Sequence, residues 1–181
     1  MSAGVESAIV EMINPLREQR GGIRWVQPAN LHLTLRFLGN AVDRNVVLKL
    51  DKILNDLARQ TLPFVLHVRG TGAFPNLDRP RTIWIGLASE QLRGLARQIE
   101  DAAVMAGLAR EPRPYTPHLT IGRVRDLRGW QRIRQALSQS STRDFGSILV
   151  AEMTLYRSIL GGETAQYEAL ARYRFNATAP V

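Results

Sequence analysis

Two stretches decide how this chain reads: Asn30–Asn40, "NLHLTLRFLGN", and Thr116–Arg125, "TPHLTIGRVR". Each holds the tripeptide His-Leu-Thr inside an alternating run of apolar and polar residues. The chain has only three histidines, and two of them, His32 and His118, occupy these tripeptides. Alternation over 31–38 predicts a half-buried strand, with His32, Thr34 and Arg36 on one face and Leu31, Leu33, Leu35 and Phe37 on the other. The same pattern predicts a strand over 118–125 whose His118 and Thr120 share a face.

Working outward, apolar residues at Val5, Ile9, Met12, Ile13 and Leu16 give a helical spacing over 5–20, with Pro15 near its end. "IRWVQP" reads as a short strand and 42–60 as an amphipathic helix. "PFVLHVRGTGAF" and "RTIWIGLA" read as two strands joined by the loop "PNLDRP". Ser89 is the expected cap of a helix over 90–107, whose buried stripe is Leu92, Leu95, Ile99, Ala103 and Ala106. A proline-spaced loop then leads to the second His-Leu-Thr strand. A helix over 129–140 follows, then two strands, 145–158 and 165–175, paired around a turn at Gly161–Gly162. Each His-Leu-Thr strand is thus followed by a helix and two strands. This matching order predicts an α+β fold built as a bilobal, duplicated unit. Two antiparallel sheets would face a central cleft, with helices outside and the lobes interleaved in one domain over 1–181.

If the two motif strands face one another, two imidazoles and two hydroxyls converge. One imidazole can take a proton from an attacking group while the other protonates a leaving oxygen, since an imidazole ordinarily titrates near pH 6.5. The hydroxyls of Thr34 and Thr120 can donate to phosphate oxygens as charge develops. A 2′,3′-cyclic phosphate suits this chemistry. A lone His-x-Thr carries little weight, because threonine is a favoured strand residue; the repetition is what makes it specific. His67 has no threonine two positions on and reads as an ordinary strand histidine. A zinc site is the competing reading, but zinc usually takes three or four protein ligands. Only His67 remains, there is no cysteine, and no Asp or Glu lies within a few residues of either motif. No metal and no cofactor are expected.

Composition sets the wider bounds. A chain of 181 residues that is 45% hydrophobic and 22% charged is ordinary globular material. The formal net charge is +8 and the pI about 10.9. Lys49 and Lys52 are the only lysines, so the basic charge is almost all arginine. Genomic base composition and phosphate recognition both account for that preference. The charge favours a polyanion such as RNA over an acidic protein. No apolar run reaches the ~20 residues of a spanning helix, and the N-terminus has no basic region resembling a signal peptide. A soluble, cytoplasmic monomer with no membrane partner is expected.

The paired "HLTL" and "HLTI" resemble the two H-x-T-x motifs of the two-histidine phosphoesterase superfamily. The wider strings "NLHLTLRFLGN", "GAFPNLDRPRTIWIGL", "YTPHLTIGRVR" and "AEMTLYRS" are similar to its RNA 2′,3′-cyclic phosphodiesterases, long named 2′-5′ RNA ligases. The resemblance spans about residues 5–175. It implies a LigT-like fold and metal-independent hydrolysis of an RNA 2′,3′-cyclic phosphate end to a 2′-phosphate, with reversible 2′-5′ RNA ligation as an associated reaction. It makes His32 the proton donor, His118 the proton acceptor, and Thr34 and Thr120 the phosphate-binding hydroxyls. It also marks Arg123 as a basic position after the second motif. Strict alternation turns Arg123 away from His118, unless a bulge at Gly122 turns it back. Arg36 is a further candidate for phosphate, and Tyr115 and Phe74 for stacking on a base. The resemblance also implies a strand before the first helix, where this sequence has only "MSAG"; an open sheet edge is expected there. A non-catalytic RNA-binding module and a cyclic phosphodiesterase acting on small nucleotides or ADP-ribose cyclic phosphate are the alternatives.

Overall fold

The computed structural model describes residues 3–18, 21–159 and 166–176. Its elements run α1 (Ala3–Arg17), β1 (Ile23–Trp25), a 3-10 turn (Pro28–Asn30), α2 (Arg44–Gln60), β2 (Phe64–Phe74), β3 (Thr82–Ala88) and α3 (Glu90–Ala106). β4 (His118–Val124), α4 (Trp130–Gln139), β5 (Asp144–Val150), β6 (Glu152–Ile159) and β7 (Gln166–Arg174) follow. No helix among the described residues is long and apolar enough to cross a membrane.

The chain divides into two compact units, each assembled from three separated segments. The first comprises Met1–Leu35, Val65–Leu92 and Thr116–Ile148. It is organised on a five-stranded sheet of order β1-β4-β3-β2-β5, with antiparallel pairing of β1 with β4, β4 with β3 and β3 with β2. One face of this sheet is apolar. Leu66, Val68, Ile83, Ile85, Leu119 and Ile121 project from it and are buried. Helix α1 buries the five residues its spacing marks, Val5, Ile9, Met12, Ile13 and Leu16, and Pro15 is tolerated in its last turn. Helix α4 buries Trp130, Ile133 and Leu137, and the Trp130 indole N–H donates to the Leu77 carbonyl at 3.0 Å.

The second unit comprises Arg36–Phe64, Arg93–Tyr115 and Leu149–Val181. Strands β6 and β7 pair antiparallel, Met153 opposite Tyr173 and Leu155 opposite Ala171, with all but Ala171 buried. Helix α2, capped by the Asp43 carboxylate on the Asn45 N–H, turns Leu50, Leu54 and Ala58 inward. Helix α3 begins in the first unit, where Ser89 Oγ accepts from Leu92 N–H at 3.4 Å, and continues in the second; its stripe Leu92, Leu95, Ile99, Ala103 and Ala106 is buried as its periodicity requires. The turn at Gly161–Gly162 lies outside the described residues, but the flanking pairing of Ile159 with Gln166 is that of a hairpin.

Three expectations change. The 31–38 strand contracts to a single antiparallel bridge, Leu33 with Leu119. Residues 23–26 and Leu33 run along one edge of β4, and the turn at Pro28–Asn30 bulges out between them. Beyond Thr34 no further bridge to β4 forms, and the Pro117 carbonyl accepts from the Leu87 N–H of β3 on the other edge. Phe37, expected inward, is 59% exposed. The single strand over 145–158 is two, β5 and β6, which join different sheets; no glycine or proline marks the break at Ala151. Finally, the two His-Leu-Thr motifs do not come one from each lobe. Both lie in the first unit, as neighbours on one sheet.

Candidate active site

The Leu33–Leu119 bridge builds the site. Leu119 is buried on the apolar face, so its antiparallel partner Leu33 shares that side. The residues on either side of the bridge project from the opposite, open face. Carrying the antiparallel register one step each way sets His32 across from Thr120 and Thr34 across from His118. The four side chains form a rectangle with the histidines on one diagonal. Diagonal Cβ atoms on such a ladder lie about 7 Å apart, a separation that lets two rings flank one phosphate. An antiparallel pair has a local twofold through its bridge, and it relates the two tripeptides to one another.

Each imidazole is held the same way. His32 Nδ1 lies 2.8 Å from the carbonyl of Asn30, and His118 Nδ1 lies 2.7 Å from the carbonyl of Thr116. A carbonyl only accepts, so each Nδ1 carries the proton and Nε2 is the basic nitrogen of each neutral ring. The Phe74 ring meets the His118 ring edge-on, centroids 4.9 Å apart and planes at 84°. Phe74 in turn packs on Trp84 at 5.3 Å. Trp84 lies flat on the sheet because Gly72 beneath it has no side chain; a Cβ there would stand 2.3 Å from the indole.

Arg123 is brought to this face. Ile83 pairs with Gly122 but Trp84 pairs with Thr120, so β4 carries one extra residue at Ile121–Gly122. That bulge reverses the alternation, and Arg123, opposite Thr82, points to the same side as Thr120 and His118. His67, opposite Ala88, is exposed on the same face, one step beyond the Gly86–His118 pair. Arg24 was not marked by the sequence, yet it stands directly opposite Arg123 on the open face. A three-residue strand carries no signal of which partner it will take.

Arg36 is a correction. Its Nε lies 2.6 Å from Glu100 and its Nη1 3.5 Å from Glu111, while Nη1 donates to the carbonyl of Phe37 and Nη2 to that of Ala109. These partners all belong to the second unit, so the guanidinium is committed to holding that unit together. The alternation that placed it beside His32 ends at Thr34. Glu111 is itself held below the usual carboxylate range, first by the Arg113 side chain and more weakly by Arg36. Tyr115 also belongs to the second unit. Burial pushes its phenol well above the ordinary range, partly offset by Arg93.

Residues 5–161 match the family described as the 2′-5′ RNA ligase superfamily. The chain belongs to the 2′-5′ RNA ligase superfamily. Within it, the chain is 33% identical over 176 residues to the RNA 2′,3′-cyclic phosphodiesterase of Methanocaldococcus jannaschii, covering 96% of this chain and 98% of that one. It is 30% identical over 161 residues to the enzyme of the same name from Methanothermobacter thermautotrophicus, covering 88% and 86%. Among solved structures it is similar to apo E. coli LigT, with a TM-score of 0.75, 25% identity, and 97% and 92% of the two chains covered. The α+β, LigT-like architecture expected from the sequence is therefore that of this superfamily member.

Proposed function

We propose that this chain is an RNA 2′,3′-cyclic phosphodiesterase that opens the cyclic end to a 2′-phosphate by paired histidine catalysis. The observation that carries this reading is the convergence of His32, Thr34, His118 and Thr120 about the Leu33–Leu119 bridge, with both Nδ1 atoms tied to carbonyls. Relatives bearing that activity in their names, at about 30% identity over most of the chain, support it.

In the forward direction His118 Nε2 takes a proton from water, whose oxygen attacks phosphorus. The P–O3′ bond breaks as His32 Nε2–H gives its proton to the departing oxygen. The Thr34 and Thr120 hydroxyls donate to the non-bridging oxygens as charge gathers there. After turnover each histidine holds the other's starting protonation state, and proton exchange with water resets the pair. Run in the same direction, with a 5′-hydroxyl of RNA in place of water, the same groups join ends through a 2′-5′ linkage, the 3′ oxygen leaving with the proton from His32. The local twofold makes the two imidazoles geometrically equivalent, so the assignment of acid to His32 follows the family pattern. Arg123 supplies a guanidinium on the same open face, one row from Thr120. E. coli LigT has been crystallised with 3′-AMP, which shows that a relative of this fold holds a single nucleotide; small cyclic nucleotides therefore belong in the substrate panel.

The deciding experiment incubates the protein with an oligoribonucleotide ending in a 2′,3′-cyclic phosphate in the presence of EDTA and assigns the product phosphate. A 2′-phosphate, formed by the wild type and lost in His32→Ala and His118→Ala, is expected. Loss of activity in EDTA, or persistence in either variant, rejects the mechanism.

A further inference from the structure

The cross-strand pair Arg24–Arg123 is unusual on electrostatic grounds. Directly opposite residues of an antiparallel pair have Cα atoms about 5 Å apart, and like charges placed so destabilise the sheet. Neither guanidinium enters any ion pair found among the described residues. The open-face row that contains them continues through Thr82 and Phe74 and holds no carboxylate. The chain does not lack acids, since Arg36, Arg110, Arg113, Arg128, Arg134 and Arg157 all find one. Two unneutralised guanidinium groups side by side, with a hydroxyl next to them, form the donor set of a phosphate site.

The position of this row bears on what occupies it. The adjacent row on the same face is His32, Thr120, Trp84 and Gly72, about 7 Å further along the strands. That offset is the scale of one nucleotide step along an extended strand. We propose that Arg24, together with Arg123 and Thr82, binds the RNA phosphodiester immediately 5′ of the terminal cyclic phosphate. The site would thereby favour an oligonucleotide end over a free cyclic nucleotide. The proposal rests on the reading of the His32–His118 site as the cyclic-phosphate site.

The test compares a nucleoside 2′,3′-cyclic phosphate, a dinucleotide with the same end, and that dinucleotide with its internal linkage replaced by neutral methylphosphonate. Wild-type kcat/KM is expected to fall about tenfold on methylphosphonate substitution, with no mutation made. Arg24→Gln is expected to lower the dinucleotide-to-mononucleotide ratio by a similar factor and to reduce the salt slope of RNA binding by about one. Methylphosphonate should then cause no further loss in Arg24→Gln. Arg128→Gln, which changes the net charge equally at a site paired to Asp126, should leave the ratio intact. A wild type indifferent to methylphosphonate, or an Arg128→Gln effect equal to that of Arg24→Gln, overturns the subsite. A wild type inactive on every cyclic end overturns the functional reading instead. Binding of a 2′-phosphate-ended dinucleotide and its methylphosphonate analogue still tests the subsite in that case.

Discussion

Leu33 faces Leu119 across a one-residue antiparallel bridge, and this contact sets the two catalytic candidates on one diagonal of four side chains. If His32 and His118 act on one phosphate as acid and base, their effects are not additive. Each alanine substitution is expected to cut kcat by about 10²–10⁴-fold. The double variant should fall little below the weaker single one, because removing either partner disables the same step. Single-turnover rates on a cyclic-ended oligonucleotide decide this; losses that multiply would show two independent roles.

The carbonyls of Asn30 and Thr116 dictate the tautomer of both rings. Nitrogen-15 NMR of the imidazoles in their neutral forms is expected to show Nδ1 protonated and Nε2 bare for His32 and His118. The opposite tautomer in either ring would remove the Nε2 chemistry assigned to it.

Gly72 supports His118 at a distance, through Trp84 and Phe74. Gly72→Ala forces the indole off the sheet, at a cost of about 1–3 kcal/mol for overpacking. The Phe74 ring that bounds His118 then moves as well. Lower thermal stability together with a reduced kcat is expected; a variant with wild-type Tm and kcat would show that the aromatic pair does not position the histidine.

Arg36 and Arg123 should separate cleanly. The Arg36 side chain is 11% exposed and Glu100 17%. Arg36→Met strands those carboxylates and is expected to cost on the order of 2–4 kcal/mol, below the figure for a fully buried pair, while the folded fraction still turns over. Arg123→Gln is expected to raise KM without a comparable loss of stability. Denaturant melts alongside Michaelis curves measure both.

The Tyr173 hydroxyl donates to the Asp51 carboxylate at 2.5 Å, tying β7 to α2. Burial, then this bond, pushes the phenol above its ordinary value of about 10. A raised folded-state pKa means that the contribution is complete below pH ~10 and is lost as pH rises through the folded value. Tyr173→Phe is expected to cost about 1–2 kcal/mol at neutral pH, and the gap to wild type should close in strongly alkaline melts. A gap that is constant with pH would deny the linkage.

The sequence by itself determined the helices, most of the strands and the chemistry. Periodicity marked the buried residues of α1 and α3, because burial on a helix follows its own repeat. Two copies of His-Leu-Thr marked the candidate catalytic groups, because side chains two apart on a strand share a face whatever the strand pairs with. Tertiary structure decided everything that depends on a partner. Leu33 meets Leu119 in a single bridge and the pairing stops after Thr34, which no local pattern around Leu35 reveals. The bulge at Ile121–Gly122 turns Arg123 toward His118, and it exists only as a mismatch of register against β3. Arg36 lost its place beside His32 to two glutamates more than sixty residues away in the chain. Arg24 gained one because β1 lies along β4. Alternation is a local property of the backbone, whereas register, bulges and charge pairing are settled between strands, and there the site took its final form.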